Sequence, residues 1–145
     1  MEPKVAGRSG FGISCEIEAM TVFERAGALA EGVHVNRLVM EEASLSDYQI
    51  MAIPGGFSFG DHLGSGRLLG NRLRFGLRDQ VREFVTSGKP VIGICNGFQV
   101  LVKMGLLPGD DEVSLTQTAS LALNDSGQYE NRGAALEFGP DRPCI

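Results

Sequence analysis

The sequence contains no tryptophan, only two tyrosines and two histidines, and three cysteines among 145 residues. Three thiols are an odd number without paired spacing, which argues against a disulfide framework and for reduced thiols in a cytosol. No two of the cysteines and histidines have zinc-ligand spacing, so no metal site is expected. Positive charge is also in short supply. Thirteen Lys and Arg stand against eighteen Asp and Glu, a formal net charge of −5. A nucleic-acid binder ordinarily carries a basic surplus, so that class falls away. No apolar run approaches the ~18 residues of a membrane helix. Residues 1–10 lack the apolar centre of a secretory signal, and the expected location is the cytoplasm.

Glycine is what the chain has in excess. Its 20 glycines are about double the usual ~7%. No collagen-like period explains them, so they point to tight turns and close backbone approaches of the kind found around sites. The length fits one domain of roughly 100–200 residues. Leu, Ile, Val and Phe supply 41 residues, more than a quarter of the chain and enough for an ordinary core.

Strand and helix patterns alternate. Strands are expected over 4–7, 32–35, 49–53 and 91–94, with further candidates at 119–123 and 134–138. A helix over 15–28 is expected to bury Ile17, Met20, Val22, Phe23 and Ala26. Another is expected over 77–86, with Gly88 as its C-cap, and a short one over 98–104 ending at Gly105. The run 91–94 reads as a strand buried on both faces. Strands separated by helices imply an open, mostly parallel α/β sheet with helices on both faces. Sites in such sheets lie at the carboxyl ends of strands, which singles out 54–66 and 93–97.

Gly93-Ile94-Cys95-Asn96-Gly97 follows an apolar strand and precedes a helix. It is the cysteine counterpart of the G-x-S-x-G nucleophile elbow. So sharp a turn strains the central residue and pushes its side chain out of the sheet, and bulk two positions either side would collide. The N-terminal dipole of the following helix favours negative charge at the sulfur. Residues 54–61, Pro-Gly-Gly-Phe-Ser-Phe-Gly-Asp, follow the third strand. The N–H groups of Gly56 and Phe57, with that of Asn96, are expected to form an oxyanion hole.

Together these segments resemble the class I, triad-type glutamine amidotransferases. More narrowly, they are similar to the glutaminase subunits of phosphoribosylformylglycinamidine synthase in purine biosynthesis. The resemblance rests on residues 10–16, 45–48, 54–61, 93–101 and 124–127. It implies a flavodoxin-like fold, and a reaction in which Cys95 attacks the amide of glutamine and forms a glutamyl thioester. It implies that Gln99 contacts the substrate glutamine. It also implies a larger synthetase subunit that receives the ammonia, together with a small accessory subunit. No cofactor is expected on this chain, whereas ATP and magnesium are expected on the synthetase. No nucleic acid or membrane partner is implied.

The pattern departs from the family in two places. The family's His and Glu near the C terminus have no counterpart here, since His34 and His62 both precede Cys95 and read as structural. One positioned acid–base group typically contributes ~10²–10⁴-fold to such a step. The expectation is therefore a single amidotransferase-like domain, residues 1–145, cut from a longer protein and nearly inactive alone. Arg132-Gly133 also departs, because the family has an aromatic or apolar residue after that arginine. Cys15 reads as a small buried residue packing a helix onto the sheet. Arg67, Arg74, Arg78 and Arg82 share one face if 67–86 is one helix. A rival reading is a PfpI-like cysteine hydrolase or chaperone, with Glu16 or Glu18 touching the thiol. Another is a non-catalytic assembly module.

Overall fold

A computed structural model describes residues 2–109 and 112–135. Four strands form one parallel sheet in the order β2-β1-β3-β4: β1 Lys4–Ser9, β2 Leu29–His34, β3 Ile50–Ile53 and β4 Val91–Gly93. Five helices connect and cover them: α1 Glu16–Arg25, α2 Val35–Val39, α3 Arg67–Gly76, α4 Arg78–Thr86 and α5 Asn96–Met104. The expected strands and helices are present apart from those over 119–123 and 134–135, where no strand forms. The remainder of the second candidate, 136–138, lies outside the described residues. The α/β class is as expected. No helix among the described residues is long and apolar enough to cross a membrane.

The two faces of the sheet are unequally covered. Alternate residues of a strand point to opposite faces. Ala6, Val33, Met51 and Ile53 face a core completed by Leu38, Leu45, Leu69, Leu73, Val81, Phe84, Val100 and Met104. Gly7 and Gly32, paired across β1 and β2, face the other way, against Met20 of α1. Among the described residues, that second face holds α1 alone. None of the ten residues of α1 is fully buried, and Ile17 and Val22 are 69% and 66% exposed. The expected buried stripe is therefore a stripe over open sheet.

β4 is likewise not the doubly buried strand that its apolar run suggests. Among the described residues it pairs with β3 alone, and Ile92 and Ile94 are 42% and 47% exposed. Together with Cys15, Val22, Pro54 and Gly55 they line an apolar groove of about 340 Å³. An edge strand and a central one share the same apolar signature.

The helix expected over 77–86 is present as α4, and the condition that 67–86 form one helix is not met, because 67–76 is a separate helix, α3. Leu77, φ −131°, closes α3 and opens α4, and its side chain is buried in the core. The break separates Arg67 and Arg74 from Arg78 and Arg82, so no single helix carries the four arginines on one face. Arg74 lies over the Phe75 ring, and Arg78 donates to the carbonyl of Ser114 at 3.3 Å. α3 packs closely on α5 because glycine stands at 66 and 70. A β-carbon on Gly66 would lie 2.7 Å from the amide nitrogen of Val100, and one on Gly70 3.0 Å from the Lys103 β-carbon.

Candidate active site

β4 ends at Gly93, and the amide of Ile94 still bonds the carbonyl of Ile53 at 3.0 Å. The chain then reverses into α5 within a single residue. That residue is Cys95, at φ 53° and ψ −111°, a conformation that side chains other than hydrogen rarely adopt. The flanking glycines are required by contact. A β-carbon on Gly93 would lie 2.7 Å from the backbone of Gly97, and one on Gly97 would overlap the carbonyl oxygen of Ile53. Cys95 is the N-cap of α5 and is exposed.

Two loops close over this turn. The amides of Ser14 and Cys15 both donate to the carbonyl of Gly55 at 3.2 Å, and the amide of Phe57 donates to the carbonyl of Gly12 at 2.9 Å. Gly56 has φ 144°, and a β-carbon on it would lie 2.6 Å from both the Gly12 oxygen and the Ser14 nitrogen. Glycine is thus the residue this crossing admits. Phe11 stacks on Phe59 with ring centroids 4.4 Å apart and meets the His34 ring at 5.0 Å, while the Arg72 guanidinium lies over it at 5.0 Å.

This arrangement corrects one expectation. The N–H of Phe57 is spent on Gly12 and does not serve as an oxyanion donor here. The N–H groups of Gly56 and Asn96 have no acceptor among the described residues.

Cys15 is corrected as well. It is exposed, caps α1, and lies beside the elbow. The point a β-carbon of Gly55 would occupy is 3.7 Å from the Cys15 sulfur and 3.4 Å from the Cys95 β-carbon. A lone cysteine at a helix start carries no sequence signal for that proximity, which is created by the crossing of the two loops. Cys144 lies outside the described residues.

Asn96 is 2% exposed, and its side chain joins the pieces. Its Oδ1 accepts from the amide of Ser58 at 3.1 Å. Its Nδ2 donates to Asp61 Oδ1 at 3.2 Å and to Gln99 Oε1 at 3.0 Å. Sequence reasoning valued Asn96 only for its backbone and did not single out Asp61. Gln99 is half-buried and faces a cavity bounded by Gly64, Ser65 and Lys103. The Ser58 hydroxyl is buried and has no hydrogen-bond partner among the described residues.

His34 is placed as a structural group. His34 Nδ1 accepts from the amide of Asn36 at 3.1 Å and so caps α2. His62 is exposed, its ring beside Gly60. Neither of them, nor Glu16 or Glu18, hydrogen-bonds Cys95 among the described residues.

A strained cysteine between a parallel strand and a helix, under a glycine loop, has the geometry of a nucleophile elbow. The chain belongs to the CobB/CobQ-like glutamine amidotransferase domain family, whose model matches residues 2–145. It is 45% identical over 134 residues to the phosphoribosylformylglycinamidine synthase subunit PurQ of Dehalococcoides mccartyi, covering 92% of this chain and 52% of that protein. It is 43% identical over 147 residues to the same subunit of Methanococcus maripaludis, covering 100% and 54%. The chain thus spans about half the length of the curated relatives it matches. Among solved structures, a chain of PurLQS from Thermotoga maritima superposes with a TM-score of 0.68 at 30% identity, covering 88% of this chain and 51% of that one. A putative peptidase E from Listeria monocytogenes, at 19% identity and a TM-score of 0.50, shares the fold alone.

Proposed function

We propose that this chain carries the nucleophile and oxyanion donors of a glutaminase that supplies ammonia to phosphoribosylformylglycinamidine synthase. The observation that carries the reading is the backbone of Cys95, held at φ 53° at the head of α5 by two glycines that admit no side chain. The Cys95 sulfur adds to the amide carbon of glutamine. Negative charge gathers on the amide oxygen, where the N–H groups of Gly56 and Asn96 donate. The carbon–nitrogen bond breaks, ammonia leaves with the thiol proton, and a glutamyl thioester remains. Water then adds to the thioester carbon, the carbon–sulfur bond breaks, and glutamate and the free thiol are released.

The resemblance assigns the proton acceptor to the family's His–Glu pair, a role given to neither His34 nor His62. Gln99, turned toward Asn96, is the side chain assigned to the substrate. A larger synthetase subunit, with its own ATP and magnesium, takes the ammonia in the cytoplasm. The relatives' shared name supports that partner.

A diazo-ketone analogue of glutamine tests the reading. The thiol adds at the diazo carbon, dinitrogen leaves, and a thioether remains for peptide mass mapping. Cys95 is labelled ahead of Cys15 and Cys144, glutamine protects it, and Cys95→Ala abolishes the adduct. Because Cys15 lies close by, preferential labelling of that thiol rejects the assignment.

A further inference from the structure

The reading of Cys95 as a glutaminase nucleophile leaves one carboxylate at the site without a role. Asp61 ends the glycine loop, and three donors from two segments, Ser65–Gly66 and Asn96, reach its side chain. Asn96 Nδ2 and the amide of Gly66 reach Oδ1 at 3.2 and 3.3 Å, and the Ser65 hydroxyl reaches Oδ2 at 3.3 Å. Its own backbone stands at φ 52°, in the left-handed region, two residues after Phe59 at φ 54°. The loop is therefore strained twice within three residues, and strain of about 1–3 kcal/mol per residue persists only where surrounding bonds over-determine it.

The direction of these bonds fixes the Asn96 amide. The amide of Ser58 can only donate, so Asn96 must present its oxygen there. Its Nδ2 then points at Asp61 and Gln99, and a carboxylate, which only accepts, suits that position. One buried side chain thus ties the glycine loop, which carries Gly56, to the first turn of α5, which carries Cys95 and the N–H of Asn96. Asp61 holds that side chain in register and also pins the start of α3 through Gly66.

Resting on the reading above, we infer that Asp61 is a positioning residue. Through Asn96, it sets the distance between the Gly56 and Asn96 oxyanion donors and the Cys95 sulfur. It touches neither substrate nor sulfur. Misplacing reacting groups by about 1 Å costs on the order of 100-fold in rate.

The test compares the wild-type chain, Asp61→Ala and Asp61→Asn. Cys95 is followed with the diazo-ketone analogue, which needs the whole site, and with iodoacetamide, which needs only an accessible thiol. Asp61→Ala slows diazo-ketone labelling on the order of 10–100-fold and changes iodoacetamide labelling less than about twofold. Asp61→Asn, whose Oδ1 still accepts from Asn96, restores most of the rate. In an Asn96→Ala background, Asp61→Ala has no further effect, since the two act through one bond. If Asp61→Ala does not fold, Asp61→Ser, too short to reach Asn96, takes its place with the same expectations. Wild-type diazo-ketone rates in the Ala variant, equal losses in Ala and Asn, or additive losses with Asn96→Ala overturn the inference alone. A wild-type Cys95 that takes iodoacetamide but not the diazo-ketone overturns the glutaminase reading, and the inference with it.

Discussion

Tyr48 shows how a single residue reports on the packing around it. It lies at the end of the short turn before β3, is 5% exposed, and donates its hydroxyl to Glu31 Oε2 at 2.8 Å. Burial, and next the bond to the Glu31 carboxylate, push its phenol up from 10.0 to about 12. The folded state therefore holds this proton more tightly than the unfolded chain does. The stability so gained is complete below pH 10 and is lost as pH rises through 12. An absorbance titration in a Tyr129→Phe background checks this: phenolate appears near pH 12, and a step near pH 10 contradicts it. The functional residues differed in how far the sequence exposed them. Cys95, Gly93 and Gly97 stand in a spacing that a strand-to-helix turn demands, so they were legible. The roles of Asp61 and the Asn96 side chain depend on hydrogen bonds between segments 35 residues apart, which no local pattern records. The oxyanion role expected of Phe57 failed for the same reason, since its competitor, the carbonyl of Gly12, lies on a different loop.

Elements were legible where local chemistry decides them. α5 stops at Gly105, which is left-handed at φ 82°, and Gly88 follows the end of α4 at φ 77°. The start of α4 at Leu77 was legible, whereas the end of α3 at the same residue is made by the core, which draws in Leu77, and not by a proline. α2 was missed because five residues are too few to show a period. The contact between α5 and β3 is the one the site depends on. Gly97→Ala forces a methyl group into the Ile53 carbonyl, so α5 must lift from the sheet. The expected loss is about 1–3 kcal/mol in urea denaturation, typical of overpacking. Diazo-ketone labelling of Cys95 is expected to fall with it, because the turn opens. Unchanged labelling with normal stability would show that the elbow tolerates a side chain there.

Across the whole molecule, burial is one-sided. Among the described residues, the face under α3, α4 and α5 is filled, while the opposite face leaves Ile17, Val22, Ile92 and Ile94 exposed beside β4, whose outer edge has no partner strand there. Edges of this kind pair with other chains unless charge or cover prevents it. The 145-residue chain is expected to enhance the fluorescence of anilinonaphthalene sulfonate and to self-associate as its concentration rises. Ile92→Lys, on the open face of β4, is expected to reduce both effects without lowering the unfolding temperature. A wild-type chain that neither binds the dye nor associates would contradict the exposure of that face. The strand order has a consequence in time as well. β1 is synthesised first and is flanked by β2, which follows it, on one side and by β3 on the other. β4 is made last of the four and adds to β3 at the margin of an assembled sheet. The turn at Cys95 takes shape only when α5 rests on β3, so a nascent chain on the ribosome holds Cys95 at no fixed place until that helix docks.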